Sequence, residues 1–505
     1  MLFGRLFTRL SKSSISKNNR FYKLFGSSIP CLVGSICGYF YYDNSPYIHM
    51  TGSIKENFEN GENSSKYIQK LPNHVQYLLI GDGVEIFSAA QAIRASDVTS
   101  KVAVVCPRGH PPYIRDAFVR EFVDFDRDIS SRQEIYNVFK KLFFEQPNFY
   151  LDISDYSNIE NGAIFIANNL RVDSVDSESC TAKFGPEIVK FDRCLVSPSA
   201  VPKISRNLIH NLSTFDDFLD IFSVLSEAKN VIISGDSIMV AQLISILQTH
   251  PQRLFNLTYV RRSDRPLLSG VLPLHLAQVV ENELEKYGLK VIITKENTET
   301  VCPHGVKVSL CLEDGVTVEG DLYIEISPDS RINHLFGTSS SDEGEVMADK
   351  YLNVSPNIWA VGDSVSVENF YFGKRSFQGY DNAFMSGKLA GLNMTGHEMI
   401  HRIIPMFWSY VGPIELEGCG VLDPVLRTVS VFEDEQAKSI SERRGVIFYL
   451  NEDSVIVGVC LWNPTRKSSS HLLRQVVASK MKEDDILGVS KLINLFDVED
   501  NNDEP

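Results

Sequence analysis

The stretch NIWAVGDSVSV (Asn357–Val367) runs on through RSFQGYDNAFMSGKLAGLNMTG (Arg375–Gly396) to PMFWSYVGP (Pro405–Pro413). Ile358 to Val361 is a short apolar run that reads as a buried strand, and Gly362-Asp363 stops it abruptly. From Tyr380 to Asn393 the small residues Ala383, Ser386, Gly387, Ala390 and Gly391 fall on helical spacings. That spacing predicts a helix packed close to a backbone or a cofactor. Taken alone, Gly362-Asp363 reads first as a turn with an N-capping Asp.

Composition bounds the answer around this stretch. A chain of 505 residues is too long for one core, so two or three domains are expected. Apolar residues make up 43% and charged residues 22%, as in an ordinary globular enzyme. The net charge of −15 argues against a general nucleic-acid binder, which carries a basic footprint. Nine cysteines are scattered without a C-x-x-C pair, so neither a disulfide framework nor a metal site is expected.

The first 42 residues carry Arg5, Arg9, Lys12, Lys17, Arg20 and Lys23, many serines and no acid. This is the character of a mitochondrial presequence. Residues 27–42 (SSIPCLVGSICGYFYY) are apolar but shorter than the roughly 20 residues that span a bilayer. They read either as a short inner-membrane anchor or as part of the cleaved signal. Residues 43–70 are polar and read as a linker.

Folding is expected to begin near Val75. Gln76–Ile80 reads as a strand, Gly81-Asp82-Gly83 as a tight turn, Val84–Ala95 as a helix and Lys101–Cys106 as a second strand. Gly81 and Gly83 are the first two glycines of a G-x-G-x-x-G loop, in which a pyrophosphate approaches backbone amides at a helix N-terminus. Ile86 stands at the third small position and is expected to hold helix and strand apart. Asp82 adds an unfavourable charge inside the loop.

SGKLAGLNMTG, followed by PMFWSYVGP, closely resembles the mitochondrial apoptosis-inducing factor family of FAD-containing NADH oxidoreductases. The resemblance runs in order from about Val75 to near Asp497. It implies an α/β fold with two Rossmann-like dinucleotide-binding domains, for FAD and NAD, plus a C-terminal α+β domain. The implied divisions are 71–204 with 330–400 for FAD, 205–329 for NAD and 401–505 for the C-terminal, dimerisation-type domain. It also implies that Gly362 and Asp363 meet the flavin's ribityl hydroxyls, and that Arg115 and Arg120 of PPYIRDAFVREF contact the flavin cofactor. Leu170-Arg171-Val172 is the implied strand near the adenine, with Val172 contributing backbone. FDRCLVSPSAVPK keeps Pro202 and a cation at Lys203, with Pro198, Ser199 and Ala200 where the family has a threonine and two glycines.

A second module spans 205–329. Asn230–Ile233 and Leu257–Val260 read as strands around a helix, Val240–Leu247. Its loop, Ser234-Gly235-Asp236-Ser237-Ile238-Met239, keeps one glycine, Gly235, and puts Asp236 where a pyrophosphate belongs. Ala241 stands where the family has a Glu near the nicotinamide, and Glu325 where it has a glycine. Arg261-Arg262 follows the next strand; it suits a 2′-phosphate but reads first as surface cations. The fold of an NADH domain is therefore expected, with NAD(P)H binding weakened.

In the C-terminal part, 426–432, 445–450 and 455–462 read as antiparallel strands, and 484–496 as a closing helix. The resemblance implies that Trp408 stacks near the nicotinamide, with Glu417 and Asn463 near the NAD ribose or amide; a buried core role is the commoner fate of a Trp. Gln378-Gly379 replaces a Glu-His pair of the family, and residues 433–444 are shorter than an acidic insertion of its vertebrate members. Two functions remain. One is an FAD-dependent NAD(P)H oxidoreductase passing electrons to an unidentified acceptor, located in the mitochondrial intermembrane space or at the inner membrane. Members of the family dimerise on cofactor reduction. The other is a catalytically degenerate member acting as a mitochondrial binding or assembly scaffold, for example in assembling respiratory complexes as the resemblance implies, with a mitochondrial import or assembly protein as partner.

Overall fold

HVQYLLI (His74–Ile80) and VAVV (Val102–Val105) have almost no side chain suited to water on either face, so both must lie inside a covered parallel sheet. The computed structural model places them there. It describes residues 71–124, 131–198, 209–250, 255–261, 263–294, 300–304, 307–311, 317–326, 346–433, 439–464 and 470–492, all within the unit Ile68–Pro505. The presequence and linker, Lys203, Arg262 and the acidic tail lie outside the described residues.

In the first sheet the parallel strands run Ile358–Ala360, Glu187–Val196, His74–Ile80, Val102–Val105, Ile164–Ala167 and Leu151–Asp152 in spatial order. The strand 353–355 pairs antiparallel at one edge. Ile358–Ala360 therefore enters beside a strand more than 160 residues earlier, with Ile358 opposite Cys194. Residues 170–172 are not a strand; they cross between Ile164–Ala167 and Ser174–Asp176, with Leu170 N–H donating to Cys106 C=O at 3.1 Å.

A second, all-parallel sheet runs Lys290–Ile293, Asn256–Arg261, Asn230–Ser234, Leu322–Glu325 and Ile209–Asn211. An aromatic core joins it to the first. Phe118, Phe122 and Phe139 interleave with Phe215, Phe218 and Phe222 of helix Phe215–Leu225, all fully buried. Phe139 meets Phe222 edge-on at 4.8 Å between ring centres. Burying each such ring contributes about 2 kcal/mol, so the described residues of 113–143, which follow strand Val102–Val105 of the first sheet, are held on the core of the second.

The C-terminal sheet is antiparallel, in the order Met406–Val411, Ile414–Gly420, Ile456–Trp462, Gly445–Leu450, Arg427–Phe432. Its last three strands lie where the sequence pattern places them, whereas the first hairpin, where PMFWSYVGP turns, and helix Ser470–Ala478 are not evident from that pattern. The closing helix, described to Leu492, is the short Ile486–Leu492. Asp381, at the start of helix Tyr380–Met394, binds this part to the first. It accepts from Met406 N–H at 3.1 Å and from Arg474 Nη2 at 2.6 Å, while Arg474 Nε donates to Ile404 C=O.

The small-residue face of helix Tyr380–Met394 packs on helix Val84–Ser96, not on the place of a cofactor. A Cβ at Gly387 would lie 2.1 Å from the Glu85 carbonyl oxygen, and one at Gly391 2.6 Å from that of Ala89. Ser88 Oγ donates across the contact to the Phe384 carbonyl at 2.8 Å. The expectation of a close backbone approach is met by a helix.

Candidate functional site

The carboxyl ends of strands His74–Ile80, Glu187–Val196 and Ile358–Ala360 converge, which is where open parallel sheets bind ligands. Gly81 has φ +144°, and a Cβ on it would meet Ile86 Cγ1 at 2.9 Å and Ser197 Cβ at 3.0 Å. Ile86 thus does not prise helix from strand; its fully buried side chain packs over the bare Gly81 Cα. Asp82 is buried and compensated, with Arg108 Nη1 2.9 Å from its Oδ2. The extra acid in the loop is therefore tied down by a cation that the sequence reading overlooked.

Gly83 caps helix Val84–Ser96 without a side-chain bond. Glu85 fills the space instead. Its half-buried carboxylate accepts from Ser197 Oγ, and a Cβ on Gly83 would fall 2.4 Å from its Oε1. Loss of water, aided by the negative charges of Asp363 and Asp82 and opposed by the Ser197 bond, pushes the Glu85 carboxyl up to about 7. Gly362, φ +114°, closes the group: its missing Cβ would lie 3.2 Å from Ser197 Oγ. Asp363 follows, exposed.

Arg115 begins a 3-10 turn, Arg115–Ala117, that sits over the loop, because Tyr113 N–H donates to the Asp82 carbonyl at 3.2 Å. Arg120 is exposed one turn on. It lies close enough to Tyr380 to oppose the effects of burial, Asp116 and Asp381, which together push that phenol up to about 12. Val172 is half-buried against the core of the first sheet.

The second loop is tightly closed. Gly235, φ +128°, is irreplaceable, since its Cβ would stand 2.0 Å from the Ile326 carbonyl oxygen. Ser234 Oγ is buried against Tyr323 Oη at 2.7 Å. Tyr259, fully buried, donates to the Gly235 carbonyl at 2.9 Å and reaches Asp236 Oδ1 at 3.3 Å. Ser237 caps helix Ile238–Thr249. Arg261 is not a surface cation: it is buried, with Nη1 3.5 Å from Glu281 Oε1. The guanidinium is turned inward, toward Glu281 and the Asp264 carbonyl, and is not presented at the surface.

Trp408 lies half-buried in strand Met406–Val411, directly across from the buried Glu417. Its strand is held from two sides. Gln242 Nε2 of helix Ile238–Thr249 reaches the Trp408 carbonyl at 3.4 Å, Ser245 Oγ accepts from Gly412 N–H at 2.7 Å, and Asp381 holds Met406. The indole-bearing strand is thereby tied to helix Ile238–Thr249 and to helix Tyr380–Met394. Asn463, φ +49°, spends its carboxamide on backbone: it accepts from Glu415 N–H and donates to the Ser441 and Arg443 carbonyls. Its geometry is that of a loop brace.

Among the described cysteines, Cys106, Cys180, Cys194, Cys311, Cys419 and Cys460 are free. Burial pushes the Cys106, Cys194, Cys419 and Cys460 thiols up, Cys419 to about 12, so they stay protonated and unreactive.

Residues 75–387 match the pyridine nucleotide-disulphide oxidoreductase family, and residues 390–444 match the apoptosis-inducing factor, mitochondrion-associated, C-terminal family. The chain belongs to the pyridine nucleotide-disulphide oxidoreductases, a class of flavoenzymes that work with FAD and NAD(P)H. It is 27% identical over 498 residues to a putative apoptosis-inducing factor 1, mitochondrial, of Drosophila melanogaster, covering 85% of this chain and 66% of that one. In fold it is similar to a ferredoxin reductase from Rhodopseudomonas palustris, with a TM-score of 0.62, 18% identity and coverage of 78% of this chain and 91% of that one. It is similar also to a water-forming NADH oxidase from Lactobacillus brevis bound to NADH, with a TM-score of 0.65, 15% identity and coverage of 81% and 92%.

The first cradle fits a flavin dinucleotide in its frame. It has bare glycines at 81, 83 and 362, a helix N-terminus without a side-chain cap, and Asp363 beside them. Among the described residues, the Glu85 side chain stands in the way, and rotation about its own torsions can remove it.

Proposed function

We propose that the protein is a mitochondrial FAD-dependent oxidoreductase that takes electrons from NAD(P)H slowly and delivers them to an external acceptor. The observation that carries the reading is the convergence of Gly81, Gly83, Gly362 and Asp363 at the carboxyl ends of three parallel strands. When bound, FAD supplies the two-electron chemistry. Gly81 and Gly83 would admit the pyrophosphate to the helix N-terminus, and Asp363 would accept from the ribityl hydroxyls. Arg115 and Arg120 would neutralise charge on the flavin side, and Trp408 would cover the nicotinamide. Among the described cysteines, the buried Cys106, Cys194, Cys419 and Cys460 are kept protonated by burial, which favours an acceptor outside the chain, such as a redox protein.

The division into an FAD part at 71–204 and 330–400, an NAD-like part at 205–329 and a C-terminal part at 401–505 belongs to the same reading. It is supported by the separate sheets. A visible spectrum of purified protein tests it: a flavin band that bleaches with NADH is expected, whereas a colourless folded protein would favour an assembly scaffold. Asp363→Ala should lower flavin retention about tenfold, the worth of one charge-assisted hydrogen bond, without changing the melting temperature of the flavin-free protein. Unchanged flavin content would make Asp363 a turn residue only.

Mitochondrial placement rests on the basic, acid-free N-terminus and on the Drosophila relative. Among the described residues no helix is long and apolar enough to cross a membrane, and 27–42 lie outside them. Residues 1–50 fused to a fluorescent reporter should carry it to mitochondria; a cytosolic or secreted reporter would overturn the placement.

A further inference from the structure

We propose that Glu85 is an internal competitor of the flavin, its carboxylate occupying the pyrophosphate's place at the helix N-terminus until dinucleotide displaces it. The inference rests on the FAD reading above. The carboxylate lies against Gly83, is held by Ser197 Oγ from the end of the neighbouring strand, and Gly362 backs that serine. The first amides of helix Val84–Ser96 have no side-chain cap and the helix dipole is positive there, so they offer donors to an acceptor oxygen, while burial works against the charge on Glu85 itself. Gly83 is bare where the carboxylate lies, so the space that admits Glu85 is the space a phosphate requires.

The groups facing Glu85 make its displacement costly to the incoming anion. Asp82 comes from the loop, already paired with Arg108 of the segment after Val102–Val105; Asp363 comes from the end of Ile358–Ala360. Helix Tyr380–Met394 puts bare Gly387 against the Glu85 backbone; its charged residues are Lys388 and Asp381, the latter tied to Arg474. A pyrophosphate entering this ring meets the Glu85 charge as well as its bulk. Nothing covalent changes: one anion leaves the amides and another takes them.

The test is FAD binding to flavin-stripped full-length protein, followed by quenching of flavin fluorescence, for wild type, Glu85→Gln and Glu85→Ala. At about pH 8, where the Glu85 carboxyl is charged, removing that charge from a half-buried site should tighten FAD about tenfold to a hundredfold in both variants. Riboflavin, which has no phosphate, should bind all three proteins alike. A second readout needs no flavin. The folded-state carboxyl sits at about 7 against an ordinary 4.5, so the folded protein holds the extra proton. Wild-type melting temperature should then fall as pH rises from about 4.5 through about 7, and Glu85→Gln should flatten that slope.

Equal FAD affinity in all three proteins, weaker binding by the variants, or an equal gain for riboflavin would overturn the competitor while leaving the flavin reading intact. Failure of every variant to bind FAD at any concentration would bring down both.

Discussion

Gly387→Val is expected to cost about 3 kcal/mol or more of stability and to leave the purified protein with little flavin. The position has no room: the nearest atom to an added Cβ is a backbone carbonyl oxygen, that of Glu85, at 2.1 Å, with Ser88 Oγ at 2.4 Å and the Glu85 Cα at 2.6 Å. A flexible side chain can swing aside, but a helical carbonyl moves only with its helix. The two helices must therefore separate, breaking the bond from Ser88 Oγ to the Phe384 carbonyl. Helix Val84–Ser96 carries the proposed phosphate cradle at its N-terminus, so the displacement is delivered to Gly83 and Glu85 directly. Thermal unfolding and flavin content measured together decide it. Gly488→Ala is the control, because that glycine has nothing within 4 Å of an added Cβ. A Gly387→Val protein with wild-type melting and flavin content would refute the packing argument.

What the sequence made legible follows from the range of the forces involved. Strands such as VAVV announce themselves as short apolar runs, and the helix from Tyr380 through the spacing of its small residues, so their positions are readable within a residue or two. The first hairpin of the C-terminal sheet was not. Phe407, Trp408 and Tyr410 form a run without clear alternation, and only pairing with Ile414–Gly420 gives it a face. Charges misled for a similar reason. Asp82 looks like a fault in a phosphate loop until Arg108, 26 residues on, is placed beside it. Arg261 looks like a surface cation until Glu281 of the following helix closes over it. Glu85 went unnoticed because an acid in the first turn of a helix is ordinary; only the bare Gly83 next to its carboxylate makes it a competitor.

Replacing the second loop with Ser234→Gly, Asp236→Gly and Met239→Gly should accelerate reduction of the bound flavin by NADH about tenfold or more, chiefly through tighter NADH binding. Asp236 is exposed at the mouth of the loop, held toward it by Tyr259 Oη, so its charge faces any pyrophosphate seeking the amides of helix Ile238–Thr249. At an effective dielectric near 20, a unit charge about 6 Å from a phosphate is worth about 3 kcal/mol, and 1.4 kcal/mol already separates affinities tenfold. Met239 adds bulk at the second helical position, half-buried. Ser234 contributes least and carries a cost, since its hydroxyl is buried against Tyr323 Oη at 2.7 Å. Asp236→Gly alone should therefore give most of the gain. Gly235 stays, because the Ile326 carbonyl leaves its Cα no substituent. Stopped-flow reduction across a range of NADH concentrations separates the terms: the concentration for half-maximal rate should fall while the limiting rate changes little. Rapid reduction of the wild type at low NADH would show that dinucleotide tolerates Asp236, and a triple variant no faster than wild type would place the block elsewhere, at Ala241 or Glu325.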